Sequence, residues 1–229
     1  MKTYCAAVCA AVLGASLAQA QPVELPLVSG ESANPTPVAS FTGTMSYDSA
    51  LSRLTVFLQN DSPLDNLGSL TGFVFNSDGD AVASYADPDL NAGFQALNDG
   101  PGADAGAFGH YEYGAALGGD FMNGGNPDNG FFPLESGNFF FNVTINGSAA
   151  GDAVNVEDFL KQNGVNGTIN APLAVRFRAF ADGGDNIVGV KVKETPPPPT
   201  PIPLPAAAWS ALSGLALLPA VRRRLSRQR

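Results

Sequence analysis

Apolar residues recur at every second position in several separated stretches of this chain. Leu54, Val56 and Leu58 alternate with Thr55, Phe57 and Gln59. Phe139, Phe141, Val143 and Ile145 share one face against Phe140, Asn142 and Thr144. Leu173, Val175, Phe177 and Ala179 alternate with Ala174, Arg176, Arg178 and Phe180, and Val188, Val190 and Val192 follow. A period of two sends successive side chains to opposite faces of a pleated strand, and β-branched and aromatic residues fit that surface. A chain so patterned must bury one sheet face, which excludes helical bundles and most α/β architectures.

Turn chemistry separates these runs. Tyr47-Asp48-Ser49-Ala50 links Val38–Tyr47 to Leu51–Asn60, and Asp182-Gly183-Gly184-Asp185-Asn186 closes a hairpin between the last two runs. One short helix is expected: Asn155 caps it, Glu157 and Asp158 suit its positive end, Phe159 and Leu160 give it an apolar side, and Asn163-Gly164 stops it. The expected fold class is therefore mainly β: an antiparallel β-sandwich, jelly-roll or Ig-like, with one short helix. Strands this few and irregular do not predict a transmembrane barrel. Residues 98–138 differ in texture. Gly, Asn, Asp and Pro dominate there, with Phe108, Tyr111, Tyr113, Phe121, Phe131 and Phe132 among them. Two readings stay open: rings that complete the core, or rings on a long loop able to stack on sugars.

The ends are built differently. Lys2 precedes an apolar stretch, Ala6 to Leu17, and Ala18-Gln19-Ala20 is the small-x-small pattern that signal peptidase cuts after. Residues 1–20 are thus expected to be a secretory signal, cleaved after Ala20. Cys5 and Cys9 both lie inside it, so the mature chain carries neither a disulfide nor a thiolate. At the other end, Pro-rich residues 195–203 predict an extended linker. Leu204 to Val221 is apolar, and Arg222, Arg223, Arg224, Arg227 and Arg229 follow. This predicts a C-terminal transmembrane helix with Trp209 at the interface and the arginines in the cytoplasm, leaving residues 21–194 as one extracytoplasmic domain. Pro219 weakens its last turn.

Ile202-Pro203-Leu204-Pro205-Ala206, then Ala207-Ala208-Trp209, the apolar stretch and Arg222-Arg223-Arg224 together resemble the C-terminal sorting signal of the PEP-CTERM class. The variant it is most similar to reads Val-Pro-Leu-Pro-Ala, with Ile202 here in place of Val. The resemblance covers only the end of the chain, residues 202–229. It implies recognition by exosortase, a membrane transpeptidase-like protease, and processing at or near Pro203 to Ala206. It also implies an inner-membrane intermediate, then residence at the cell surface or in the extracellular matrix, commonly beside exopolysaccharide in biofilm.

All of the chain's 21 Asp and Glu residues lie between Gln21 and Glu194, against Arg53, Lys161, Arg176, Arg178, Lys191 and Lys193. Such an acidic domain repels nucleic acid. Catalytic signatures are sparse. His110 is the one histidine available as a base, no Gly-x-Ser-x-Gly elbow occurs, and no His/Cys grouping suits zinc. Carboxylate pairs abound, but nothing distinguishes one pair for glycoside hydrolysis. Calcium is the one metal with candidate ligands: Asn76, Asp78 and Asp80 with Asp87 and Asp89 nearby, and, in a second turn, Asp182, Asp185 and Asn186. The first run lacks the Gly and the closing Glu of an EF-hand, and Asp and Asn serve turns equally well. The expectation is a non-enzymatic surface or matrix protein with a structural or adhesive role. The alternatives are a carbohydrate-binding module and a secreted carboxylate-dependent hydrolase.

Overall fold

The period-two runs become twelve antiparallel strands in the computed structural model. Residues 23–78, 81–86, 91, 93–97, 102–145 and 154–192 are described; the expected signal segment, Asp80, the expected linker and the expected sorting tail lie outside them. The chain divides into two units at Lys193/Glu194, and all described residues belong to the first. The strands are β1 (Val23–Ser32), β2 (Phe41–Asp48), β3 (Arg53–Asn60), β4 (Ser69–Phe75), β5 (Ala81–Tyr85), β6 (Phe94–Ala96), β7 (Ala103–Asp104), β8 (His110–Tyr111), β9 (Tyr113–Leu117), β10 (Ser136–Ile145), β11 (Leu173–Arg178) and β12 (Asn186–Val192).

Ten of them form a single sheet in the order β5-β10-β3-β2-β1-β12-β11-β4-β9-β6, and β7 and β8 pair separately. The sheet curls until its edge strands return towards one another. Across this seam the Tyr113 hydroxyl on β9 donates to the Ala81 carbonyl on β5 at 3.5 Å, and Phe94 on β6 meets Phe139 on β10 at 5.1 Å between ring centroids. The mainly β, antiparallel expectation holds. The expected two-sheet sandwich does not describe the ladder, which is continuous and nearly closed on itself. Alternation dictates which side chains turn inward; it says nothing of whether the sheet is cut in two. The β1–β12 pairing, Leu27 opposite Val192 and Ser29 opposite Val190, joins what a sandwich would separate.

The inward face carries the main core: Leu54, Val56 and Leu58 from β3, Phe139 and Phe141 from β10, Phe73 and Phe75 from β4, Leu173, Val175 and Phe177 from β11. The rings interlock edge to face, Phe73 against Phe139 at 4.7 Å and Phe75 against Phe141 at 5.2 Å. These are the tilts the ring quadrupole prefers. The expected helix is a single 3-10 turn, Val156–Phe159. Its capping box is present, with the Asn155 backbone N–H donating to an Asp158 carboxylate oxygen at 2.7 Å. One turn fixes many dihedrals for few hydrogen bonds, so a segment this short does not propagate into an α-helix. Its work is to lay Phe159 against Tyr47 and Phe75, closing one end of the barrel. Among the described residues no helix is long and apolar enough to cross a membrane.

The segments on either side of β9 supply a second core on the outer face of β4, β9, β11 and β12. Phe108, Tyr111 and Phe121 pack there against Val74, Ala116, Ala174 and Ile187. Small residues on the sheet make room. A Cβ on Gly189 would lie 2.7 Å from the Phe108 ring. As a result β4 is buried on both faces, which alternation alone does not reveal.

Candidate functional site

Four exposed apolar side chains stand on the loops of one barrel end. Leu64, Leu67, Phe132 and Leu134 are 64%, 54%, 38% and 66% exposed, and Val38 is exposed beside them. They stand on three loops at one barrel end, where β2, β4, β10 and β12 begin and β3 and β11 finish. The loops are tied together through Asn60 at the end of β3, a fully buried side chain. Its amide donates to the Gly68 carbonyl at 2.7 Å and to the Phe131 carbonyl at 2.8 Å, while its oxygen accepts from the Ser62 backbone N–H at 3.0 Å. The Leu134 N–H donates to the Asn60 carbonyl at 2.7 Å, and the Asn66 amide donates to the Val38 carbonyl at 3.1 Å. The Phe132 N–H donates to a Glu135 carboxylate oxygen at 2.8 Å. An open cleft of about 500 Å³ adjoins this rim, lined in part by Phe94, Phe131, Leu134 and Glu135.

Two of the leucines sit in the left-handed backbone region, Leu67 at φ 55° and Leu134 at φ 74°. For a residue with a Cβ that region costs about 1–2 kcal/mol. Glycine or asparagine would relieve it. Exposed leucine is therefore unfavourable at both positions on two separate grounds, backbone strain and hydration.

A second cluster surrounds Arg176, which is 5% exposed. On the outer face of β11, its guanidinium donates to the Phe121 carbonyl at 2.6 Å and to an Asp185 carboxylate oxygen at 2.8 Å. Arg178 donates to the Gly124 carbonyl at 2.7 Å. Burial draws the Arg176 pKa below its usual value, against the pull of Asp185. Asp120 accepts from the Asn123 and Met122 N–H groups at 2.9 and 2.8 Å. These bonds, the one from Asn123 first, hold its carboxyl below the usual range. The cluster fastens the glycine-rich loop after β9 to the sheet.

The sequence's candidate metal ligands are spread over different structural tasks. Asp78 accepts from Gln162 at 3.0 Å and lies 4.0 Å from the Lys161 ammonium. Asp182 accepts from the Gly184 N–H at 2.9 Å inside its own turn, and Asp185 holds Arg176. Asn76 joins Glu112 to Asn163, and Asn186 joins Asn34 to Pro37. Asp80, Asp87 and Asp89 lie outside the described residues. Among the described residues no group of three or more His, Cys, Asp or Glu side chains converges. His110 is exposed, and its backbone pairs with Val165. Of the rings in the glycine-rich stretch, Phe108, Tyr111 and Phe121 are buried, Tyr113 and Phe131 are half-buried, and Phe132 alone is exposed. Ala18, Ala20, Ile202, Pro203, Leu204, Pro205, Ala206, Trp209 and Arg222 to Arg224 lie outside the described residues.

The rim was not read from the sequence. Pro63-Leu64-Asp65-Asn66-Leu67-Gly68 was the available signal, leucines placed where a turn calls for polar residues. Compared with protein-family models, curated proteins and solved structures, the chain matches none.

Proposed function

We propose that this chain is an exported, exosortase-sorted protein of the cell surface or extracellular matrix, acting through non-covalent contact rather than catalysis. The observation that carries the reading is the order of parts in the sequence. A signal-like leader ending in Ala18-Gln19-Ala20 stands at one end, and Ile202-Pro203-Leu204-Pro205-Ala206, an apolar stretch and Arg222-Arg223-Arg224 stand at the other. After removal of the leader and processing near Pro203 to Ala206, an acidic β-domain is left outside the cell, beside exopolysaccharide. A rigid rim of outward leucines supports an adhesive role over a catalytic one. A sugar-stacking role finds support in Phe132 alone among the rings of the glycine-rich stretch.

The test is the intact mass of the protein from its native host, with and without exosortase. The expected mass begins at Gln21 and ends near Pro205, and that end appears only when the enzyme is present. A mass that retains Trp209 and the arginines in both strains overturns the sorting proposal.

A further inference from the structure

We infer that the loop rim at the end of the barrel is the adhesive surface, and that it docks the apolar face of a basic protein segment. The inference rests on the proposed surface role only for where the partner is met. Three observations meet at the rim. The first is the doubly unfavourable placement of Leu67 and Leu134, exposed and left-handed together. Folding alone would favour glycine or asparagine there, so what sets leucine apart at these positions is the side chain it offers outward. The second is rigidity. Asn60, buried, bonds the Leu64–Leu67 loop and the Phe132–Leu134 loop at once, so little conformational freedom is left to lose on binding.

The third is charge. Residues 34–40, 61–68, 131–135 and 179–184, loops of this end, contain Asp61, Asp65, Glu135 and Asp182 and no Lys or Arg, and Arg178, the last residue of β11 here, is engaged by the Gly124 carbonyl and Asp185. An apolar centre ringed by carboxylates complements an apolar face ringed by Lys or Arg. The same ring disfavours a second copy of this chain, which would set carboxylates against carboxylates, and disfavours an anionic membrane. Orientation agrees with the assignment. β1 begins at the opposite end of the barrel and β12 runs towards that end, so the rim faces away from where the chain leaves the domain.

The probe is a synthetic amphipathic peptide of alternating leucine and lysine pairs, titrated by calorimetry into the protein in the form its host produces. The control is the same peptide with glutamine for lysine. The basic peptide is expected to bind, to weaken as salt rises, and to bind more tightly than the control. Leu67→Gly with Leu134→Gly leaves every charge in place. It should weaken binding about tenfold or more while leaving the melting temperature unchanged or raised. Equal binding by parent and variant, or equal binding of basic and neutral peptides, overturns the inference. So does a variant with a lowered melting temperature, which would make these leucines packing residues. Self-association or capture by anionic phosphatidylglycerol vesicles, lost in the same variant, would assign the rim to a second copy or a membrane and overturn it as well. The intact-mass experiment reads none of these quantities, so either proposal can fail alone.

Discussion

At the residue scale, a few buried polar groups decide how far the surface is organised. Asn60→Ala removes two donors and one acceptor, strands the Gly68 carbonyl and the Ser62 N–H, and leaves the Phe131 carbonyl with the Leu70 N–H alone. A buried group left unpaired costs about 1–3 kcal/mol, so the expected loss is about 2–4 kcal/mol in urea unfolding. A loss under about 1 kcal/mol would mean that other partners satisfy those carbonyls. Tyr111 makes a pH prediction. Its hydroxyl donates to the Ala171 carbonyl at 2.7 Å, and burial raises its pKa well above the ordinary tyrosine value. A phenol harder to ionise when folded leaves stability intact below the unfolded value of about 10. As pH climbs past that value the unfolded chain sheds the proton first, and stability falls. Tyr111→Phe should cost about 1 kcal/mol at neutral pH and flatten the alkaline loss. Burial, and then Glu112, raise Tyr113 as well, which leaves a residual slope. Urea midpoints followed from neutral to alkaline pH check the sign; an identical alkaline slope in the variant would rule out this role for Tyr111.

At the element scale, the glycine-rich stretch is a strap over the sheet. Gly189, Ala116 and Ala174 leave low ground on the outer face of β9, β11 and β12, and the rings of Phe108, Tyr111 and Phe121 settle there beside Val74 and Ile187. Arg176 and Arg178 then fasten the loop after β9 through backbone carbonyls. Arg176→Met keeps the bulk and removes the donors. Amides from Met122 to Gly125 should then exchange faster, while those of β2 and β3 keep their protection. Uniform loss of protection through the barrel would show that Arg176 supports the whole fold rather than the strap.

At the scale of the whole molecule, the sheet links distant parts of the chain: β1 with β12, β4 with β11, β3 with β10. Long-range pairing of this kind makes folding slow compared with helical proteins of similar size. It also sets the two ends of the barrel apart, one closed by Phe159 and the other carrying the rim. The proposed cleavage has a second whole-molecule readout. Trp209 is the chain's single tryptophan, so protein released by processing before it should show tyrosine emission without tryptophan emission. Tryptophan emission from the released form would contradict cleavage at that motif.

Alternation alone determined much of this protein. Val56, Leu58, Phe139, Phe141, Val175 and Phe177 were legible as inward residues because a strand's side-chain period is a local property of the backbone. The turn at Asp182 to Asn186 was legible for the same reason, since its chemistry acts within a few bonds. The curling of one continuous sheet until it nearly closes was decided by pairings between residues far apart in sequence, and a local pattern carries no term for them. The same holds for the strap. Phe108 and Phe132 stand in similar glycine-rich surroundings, yet one is buried under Gly189 and the other faces outward. The rim needed tertiary structure most of all. Leu64 and Leu134 are seventy positions apart in sequence, and the hydrogen bonds of Asn60, with the Leu70–Phe131 backbone pair, bring their loops to one surface.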